Sequence, residues 1–258
     1  MKVTLLNYTQ QALELLIFTK QTRLRMSAQG LEEIEEWSME RKLQELEYVL
    51  HTIQSSWEFC DYTFMIEDVS RAFTHQLVRH RVGVSFAQQA QRAVHMEDFS
   101  YVTGPSAQQS AVYDQTMAMI NEQYKQLLTA GVRAQDARGI LPTNICTNIV
   151  MKVNLRSLHD MMLKRLCVKA QGEAQDIFRE IRARVLEVHP WADPMLRVYC
   201  ATTGTCCFPT FDGCPIKMIV YNPETCQAYD GGSLTSLNSI QQTWQHNRAE
   251  AQPEVPHE

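Results

Sequence analysis

Three basic side chains stand in a row at Arg79, His80 and Arg81, opening the stretch "RHRVGVSFAQQAQRA" (Arg79 to Ala93). A guanidinium presents a planar fork of donors that grips phosphate or carboxylate through two bonds at once. The residues that follow add Ser85, Gln88, Gln89, Gln91 and Arg92. Hydroxyl, amide and guanidinium groups of this kind suit bases, ribose and phosphate. Gly83 permits a backbone turn between the two groups. Upstream, "SRAFTHQLVRH" (Ser70 to His80) has helical periodicity with Ser70 as N-cap. On that helix Gln76, Arg79 and His80 share a face at i, i+3 and i+4, while Phe73 and Leu77 face a core. A basic helix end is also favoured by the macrodipole alone. A solvated helix terminus and an exposed polar loop are therefore the plain alternatives.

A second constellation lies in "NLRSLHDMMLKR" (Asn154 to Arg165). Asn154, Leu158, Met161 and Arg165 fall on one helical stripe, so two polar groups bracket an apolar floor. A guanidinium on an apolar face needs an anion or carbonyl partner, unless it snorkels to water. Arg156 and Asp160, at i and i+4, are spaced for a surface ion pair.

The chain that must position these groups has 258 residues, 45% hydrophobic and 21% charged, which suffices for one large domain with a full core. Its formal charge is −5, so a nucleic-acid partner is not expected, and local cations point to a specific anion site. No stretch approaches the ~20 apolar residues of a membrane span. "MKVTLLNYTQ" lacks the apolar run of a secretory signal. A cytoplasmic protein without membrane attachment is expected. G-x-G-x-x-G, Walker A, H-E-x-x-H and C-x-x-C motifs are absent, so phosphate recognition must use side chains.

The local patterns predict strands over Lys2–Thr9, Tyr62–Ser70 and Asn144–Asn154. Helices are predicted over Met39–Gln54, Ser70–His80, Gln108–Ala130 and Ala134–Leu141. Another runs over Arg156–His189 with a break near Val168. Gly131 is a candidate helix-ending glycine. A single α+β domain over residues 1–220 follows, with a polar extension over 221–258. Eight cysteines without a signal segment read as reduced thiols. Cys200, Cys206, Cys207 and Cys214 are spaced unlike a standard zinc motif. Structural thiols are the default there and no metal is assigned, a closed four-thiolate zinc site being the alternative.

Taken together, the blocks from Glu58 to Glu173 resemble the flavin-dependent thymidylate synthase family. They are "YTFMIEDVSRAFTHQLVRHR", the Gln- and Arg-bearing segment after it, "ARGILP" (Ala137 to Pro142), "VNLRSL" (Val153 to Leu158), Arg165 and "AQGE" (Ala170 to Glu173). The resemblance implies a mixed β-sheet flanked by helices, and a homotetramer with active sites between subunits. It implies that dUMP becomes dTMP, with methylenetetrahydrofolate giving the one-carbon unit and FAD passing on hydride from NADPH. No cysteine nucleophile is required, and none stands beside the arginine motif. By the same resemblance Arg79, His80 and Arg81 contact FAD, and Arg79 also lies near the nucleotide. Gln76, Arg92 and Arg138 match dUMP-binding positions, and Asn154 and Arg156 match FAD-binding ones. Arg165 matches the arginine that polarises the uracil ring and is the candidate catalytic residue.

Departures from the family pattern touch the same region. One extra residue precedes Arg92, which leaves Ala90 at the position of a signature serine that binds nucleotide, and Ala93 where tyrosine is usual. Gln88 takes a position of Glu or Gln that serves both substrate and cofactor. Asp160 replaces a His or Asn on the cofactor side, and Phe59 stands where many members have His. Ala90 removes a hydroxyl donor, a loss of about 1.5–3 kcal/mol when the partner is charged. Gln89 or Gln91 could compensate. These departures keep two further readings open. One is a flavin-dependent pyrimidine nucleotide hydroxymethylase. The other is a catalytically impaired nucleotide- or flavin-binding homologue.

Overall fold

The computed structural model describes residues 1–24, 30–52, 54–208, 210 and 214. The expected extension over 221–258 and Cys226 lie outside the described residues.

Four strands form one sheet. They are β1 (Lys2–Tyr8), β2 (Asp61–Ser70), β3 (Val84–Gln88) and β4 (Cys146–Asn154), in the order β1-β2-β4-β3. The two central strands alternate over most of their length. Tyr62, Phe64 and Ile66 on β2, and Ile149, Met151 and Val153 on β4, are buried on the period of two that one packed sheet face requires. Every pairing among the described strands is antiparallel. The α+β class therefore stands, but the expected mixture of parallel and antiparallel pairs is corrected. β3 is a second correction. The segment read as a loop after Gly83 is a strand, because Val84 to Gln88 pair with Val153 to Ile149 of β4.

The N-terminal helices are α1 (Ala12–Leu24), α2 (Leu31–Glu35) and α3 (Met39–Leu50). Next come α4 (Arg71–Leu77), α5 (Ala111–Thr129) and α6 (Ala134–Ala137). The C-terminal set is α7 (Leu155–Arg165), α8 (Gly172–Val188) and α9 (Tyr199–Thr203). The main core joins the buried face of the sheet to Leu16 and Ile17 of α1, Leu158 and Met161 of α7, and Ile177, Phe178 and Ile181 of α8. Met96, Tyr124, Ala137 and Ile145 form a separate small core beneath α5 and α6. Gly131 ends α5 with φ +86°, the left-handed conformation expected of it. The long predicted helix from Arg156 does break near Val168, giving α7 and α8.

A bulge shapes the exit from β2. The β2–β4 register shifts between Ile66 and Val69, and Asp68 takes φ +55° while its N–H donates to Asn148 Oδ1 at 3.0 Å. Both Val69 and Ser70 are thereby buried, and Ser70 Oγ accepts from Phe73 N–H at 3.0 Å as the N-cap of α4. The sheet thus hands the chain directly to the helix that carries the arginine motif.

Among the described cysteines all are free thiols. Cys200 is pushed up to about 11 by burial and by the nearby thiols of Cys214, Cys167 and Cys206. Among the described residues no three metal-ligating side chains are close enough together to hold an ion.

Candidate active site

α4 is shorter than its pattern suggests. It ends at Leu77, with Val78 N–H bonded to Thr74 O at 3.0 Å as the C-terminal cap. Arg79 and His80 lie beyond it in a turn, where His80 N–H reaches Leu77 O at 3.2 Å. The shared helical face expected for Gln76, Arg79 and His80 is therefore not formed. The chain must leave the helix early to reach Gly83 and enter β3.

Gly83 is the pivot. Its φ is +65°, and a Cβ there would stand 2.4 Å from Asn154 Nδ2 and from Ser157 Oγ. A Cβ could enter only by displacing the Asn154 and Ser157 side chains, and the positive φ adds strain for any residue but glycine. The close approach lets Asn154 N–H donate to Gly83 O at 3.0 Å and Ser157 Oγ–H donate to Val82 O at 2.7 Å. The Arg79–Arg81 turn is in this way seated against the start of α7.

α7 begins where β4 ends. Asn154 is its N-cap, accepting from Ser157 N–H at 2.8 Å, rather than a member of the helical stripe. Leu158 and Met161 are fully buried, and Arg165 at the other end is half-buried. Burial holds the Arg165 guanidinium below its ordinary value. Its Nη1 donates to Gln76 Oε1 at 3.2 Å, and Nη2 donates to Gln76 O at 3.5 Å. Gln76 Nε2 in turn donates to Gln171 Oε1 at 2.6 Å. His80 is also held below its ordinary value, by burial first and then by Arg165 and Lys164, with Asp160 opposing. Its buried Nε2 has no hydrogen-bond partner among the described residues. One end of α4 thus gathers Gln76, His80 and Arg165, with Asp160 close to His80.

The other end carries Arg71, which sequence reasoning missed. Burial and the neighbouring Arg138 guanidinium hold Arg71 below its ordinary value. Two guanidiniums within reach of each other's charge favour an anion between them. A signal was available. Arg71 occupies the first turn of a helix, where the dipole disfavours a cation, so a compensating anion is called for.

The remaining expected residues are placed separately. Gln88, on β3, donates from Nε2 to Thr74 Oγ1 at 2.8 Å and so leans on the middle of α4. Arg79, Arg81, Ala90, Arg92 and Arg138 are exposed. Gln91 is buried beside Ala90 with its Nε2 unbonded among the described residues. Arg156 does not pair with Asp160. Its Nη1 bonds Glu58 Oε1 instead, because the short helical turn before β2 brings Glu58 against the start of α7. Phe59, at the end of that turn, is exposed.

Residues 4–191 match the family described as thymidylate synthase complementing protein. The chain belongs to this family. Within it, the chain is 38% identical over 163 residues to a flavin-dependent thymidylate synthase of Sulfurisphaera tokodaii, covering 62% of this chain and 60% of that enzyme. A flavin-dependent thymidylate synthase of Pyrococcus furiosus is 34% identical over 196 residues, covering 72% of this chain and 78% of that one. The flavin-dependent thymidylate synthase of Helicobacter pylori, solved with FAD and dUMP, superimposes with a TM-score of 0.60 at 19% identity. It covers 74% of this chain and 97% of its own, which shows a shared fold. The α4 turn, β3 and α7 all fall inside the span that matches the thymidylate synthase complementing proteins.

Proposed function

We propose that this protein is a flavin-dependent thymidylate synthase that converts dUMP to dTMP. The observation that carries the reading is the half-buried Arg165 guanidinium bonded to Gln76 and set beside His80. A fixed cation in a site that excludes water acts on developing negative charge far more strongly than the same cation in solution.

Arg165 faces the uracil ring in this reading. Its charge stabilises the electron density that gathers on the ring oxygens as C5 becomes nucleophilic toward the one-carbon unit of methylenetetrahydrofolate. Gln76 holds the guanidinium in place and offers its amide to the base. Arg71 and Arg138, with Arg92 and Gln88, take the nucleotide phosphate and sugar. Gln91 stands in for the hydroxyl that Ala90 lacks, and its unbonded buried amide supports this.

The residues present fit FAD. The exposed Arg79 and Arg81 and the partnerless Nε2 of His80 are a donor set for a pyrophosphate-bearing cofactor. Asn154 and Arg156 flank them at the start of α7, with Asp160 one turn along. Bound FAD supplies the hydride chemistry, recharged by NADPH, while the protein fixes its orientation. Burial and the nearby Arg165 and Lys164 charges disfavour the charged form of His80, which suits a hydrogen-bonding role. Arg79, Arg81, Arg92 and Arg138 are exposed, which also suits a site completed by a neighbouring subunit, as in a homotetramer.

The test is a flavin titration followed by an NADPH oxidation assay. FAD binding at micromolar or better affinity, with oxidation dependent on dUMP, is expected. A protein that binds no flavin would overturn the reading.

A further inference from the structure

We propose that Glu173 is a positioning residue for Arg165, acting through a directional chain of two amides. The inference rests on the reading of Arg165 as the uracil-facing cation.

Four side chains from three elements join end to end. Arg165 Nη1 donates to Gln76 Oε1 at 3.2 Å, and Gln76 Nε2 donates to Gln171 Oε1 at 2.6 Å. Gln171 Nε2 then donates to Glu173 Oε2 at 3.4 Å. The two ends decide the sense of the whole chain. A guanidinium has donors only, and an ionised carboxylate has acceptors only. Each amide between them can be turned either way about its last bond, and only one pair of orientations satisfies every link. With Glu173 charged, the Gln76 oxygen must face Arg165. The end of the chain is itself anchored, because Ser70 N–H and Ser70 Oγ–H donate to Oε1 and Oε2 of Glu173 at 2.6 and 2.5 Å. Glu173 lies in the first turn of α8, where a negative charge is favoured.

The arrangement answers a problem that Arg165 poses. The guanidinium is half-buried, and among the described residues it forms no ion pair and bonds only to Gln76. A direct carboxylate partner would neutralise the charge that the uracil ring is to feel. A carboxylate two amides away orders the guanidinium without quenching it. Replacing Glu173 by glutamine places a donor at the acceptor end. Gln171 then turns over to meet it, Gln76 follows, and an amide N–H group is brought against the guanidinium.

Three variants separate this role from a simple cap on α4. Glu173→Gln is expected to lower turnover of dUMP about tenfold, the worth of one charge-assisted hydrogen bond, with FAD binding unchanged. Gln171→Leu breaks the chain but leaves the Ser70–Glu173 bonds intact, and is expected to lower turnover equally at unchanged melting temperature. The double variant Gln171→Glu/Glu173→Gln moves the acceptor-only group one place along, so Gln76 is again held with its oxygen toward Arg165. It is expected to recover turnover toward wild type. Wild-type turnover in Gln171→Leu, or no recovery in the double variant, overturns the inference. Crystal structures of the ligand-free variants read the relay whatever the substrate. Gln76 should leave Arg165 in the two single variants and return in the double one, and a Gln76 that stays in place throughout also overturns the inference. A wild-type protein that fails to turn over dUMP, with Gln76 moving as expected, places the failure on the functional reading instead.

Discussion

The two ends of α4 solve different problems with the same residue type. At its C-terminal end the guanidinium of Arg165 is half-buried, bonded to Gln76 and backed by the amide chain to Glu173. At its N-terminal end Arg71 feels the charge of Arg138, donates to Gln89 O at 3.5 Å, and has no ion pair among the described residues. The first arrangement fixes one charge in one direction, which is what stabilising a transition state requires. The second accumulates charge near solvent, which would draw in and hold an anion without discriminating between ground and transition state. The wired end should therefore govern turnover and the open end affinity.

The largest expected effect is at the wired end. Arg165→Ala should leave FAD bound and the fold intact while lowering kcat by ~10²–10³, as loss of one preorganised donor does. Arg165→Lys should recover only part, since an ammonium keeps the charge and loses the fork. Near wild-type kcat in both would show that Arg165 merely snorkels to water.

At the open end, Arg71→Ala and Arg138→Ala should each raise the KM for dUMP with little change in kcat, and Arg92→Ala should do the same if Arg92 also meets the nucleotide. The expected loss is about 1.5–3 kcal/mol of binding for each charge-assisted contact removed. A fall in kcat with unchanged KM in all three would erase the distinction between the two ends.

Gly83→Ala tests the pivot that seats the Arg79–Arg81 turn against α7. The positive φ is strained for alanine, and a Cβ there must push aside the Asn154 and Ser157 side chains. A loss of about 1–3 kcal/mol of stability is expected, measured by urea unfolding. Wild-type stability would mean that the turn relaxes freely.

A smaller effect follows from the buried histidines. His80 and His189 are both held below their ordinary value, chiefly by burial. In the unfolded chain each takes up a proton near pH ~6.5, and in the folded protein only at lower pH. The unfolded state then binds more protons, so stability should fall as pH drops below ~6.5. His189→Gln, tested by melting at a series of pH values, should flatten that fall. His189 Nδ1 meets Tyr62 Oη at 2.9 Å, so some stability should also be lost at neutral pH.

What could be read from the sequence was what depends on near neighbours. The alternation of Tyr62, Phe64 and Ile66 on β2, the Ser70 cap, the Gly131 terminus and the break near Val168 all follow from local pattern. The Leu158–Met161–Arg165 stripe was legible for the same reason. β3 was not, because its short run of Val84 to Gln88 becomes a strand only by pairing with β4. The pairing of Arg71 with Arg138, and of Arg156 with Glu58, joins residues far apart in the chain. Spacing alone suggested Asp160 for Arg156, since an i, i+4 pair is the nearest candidate on a helix. The arginines were legible as cations, but the placing of Arg165 and Arg71 at opposite ends of α4 needed the fold.

The most direct test of the account is the product itself. The purified protein is incubated with FAD, dUMP, methylenetetrahydrofolate and NADPH, and the nucleotide is identified by mass spectrometry. The account predicts dTMP, formed only when all four are present. A hydroxymethylated pyrimidine nucleotide, or dUMP recovered unchanged by a protein that has bound FAD, would contradict it.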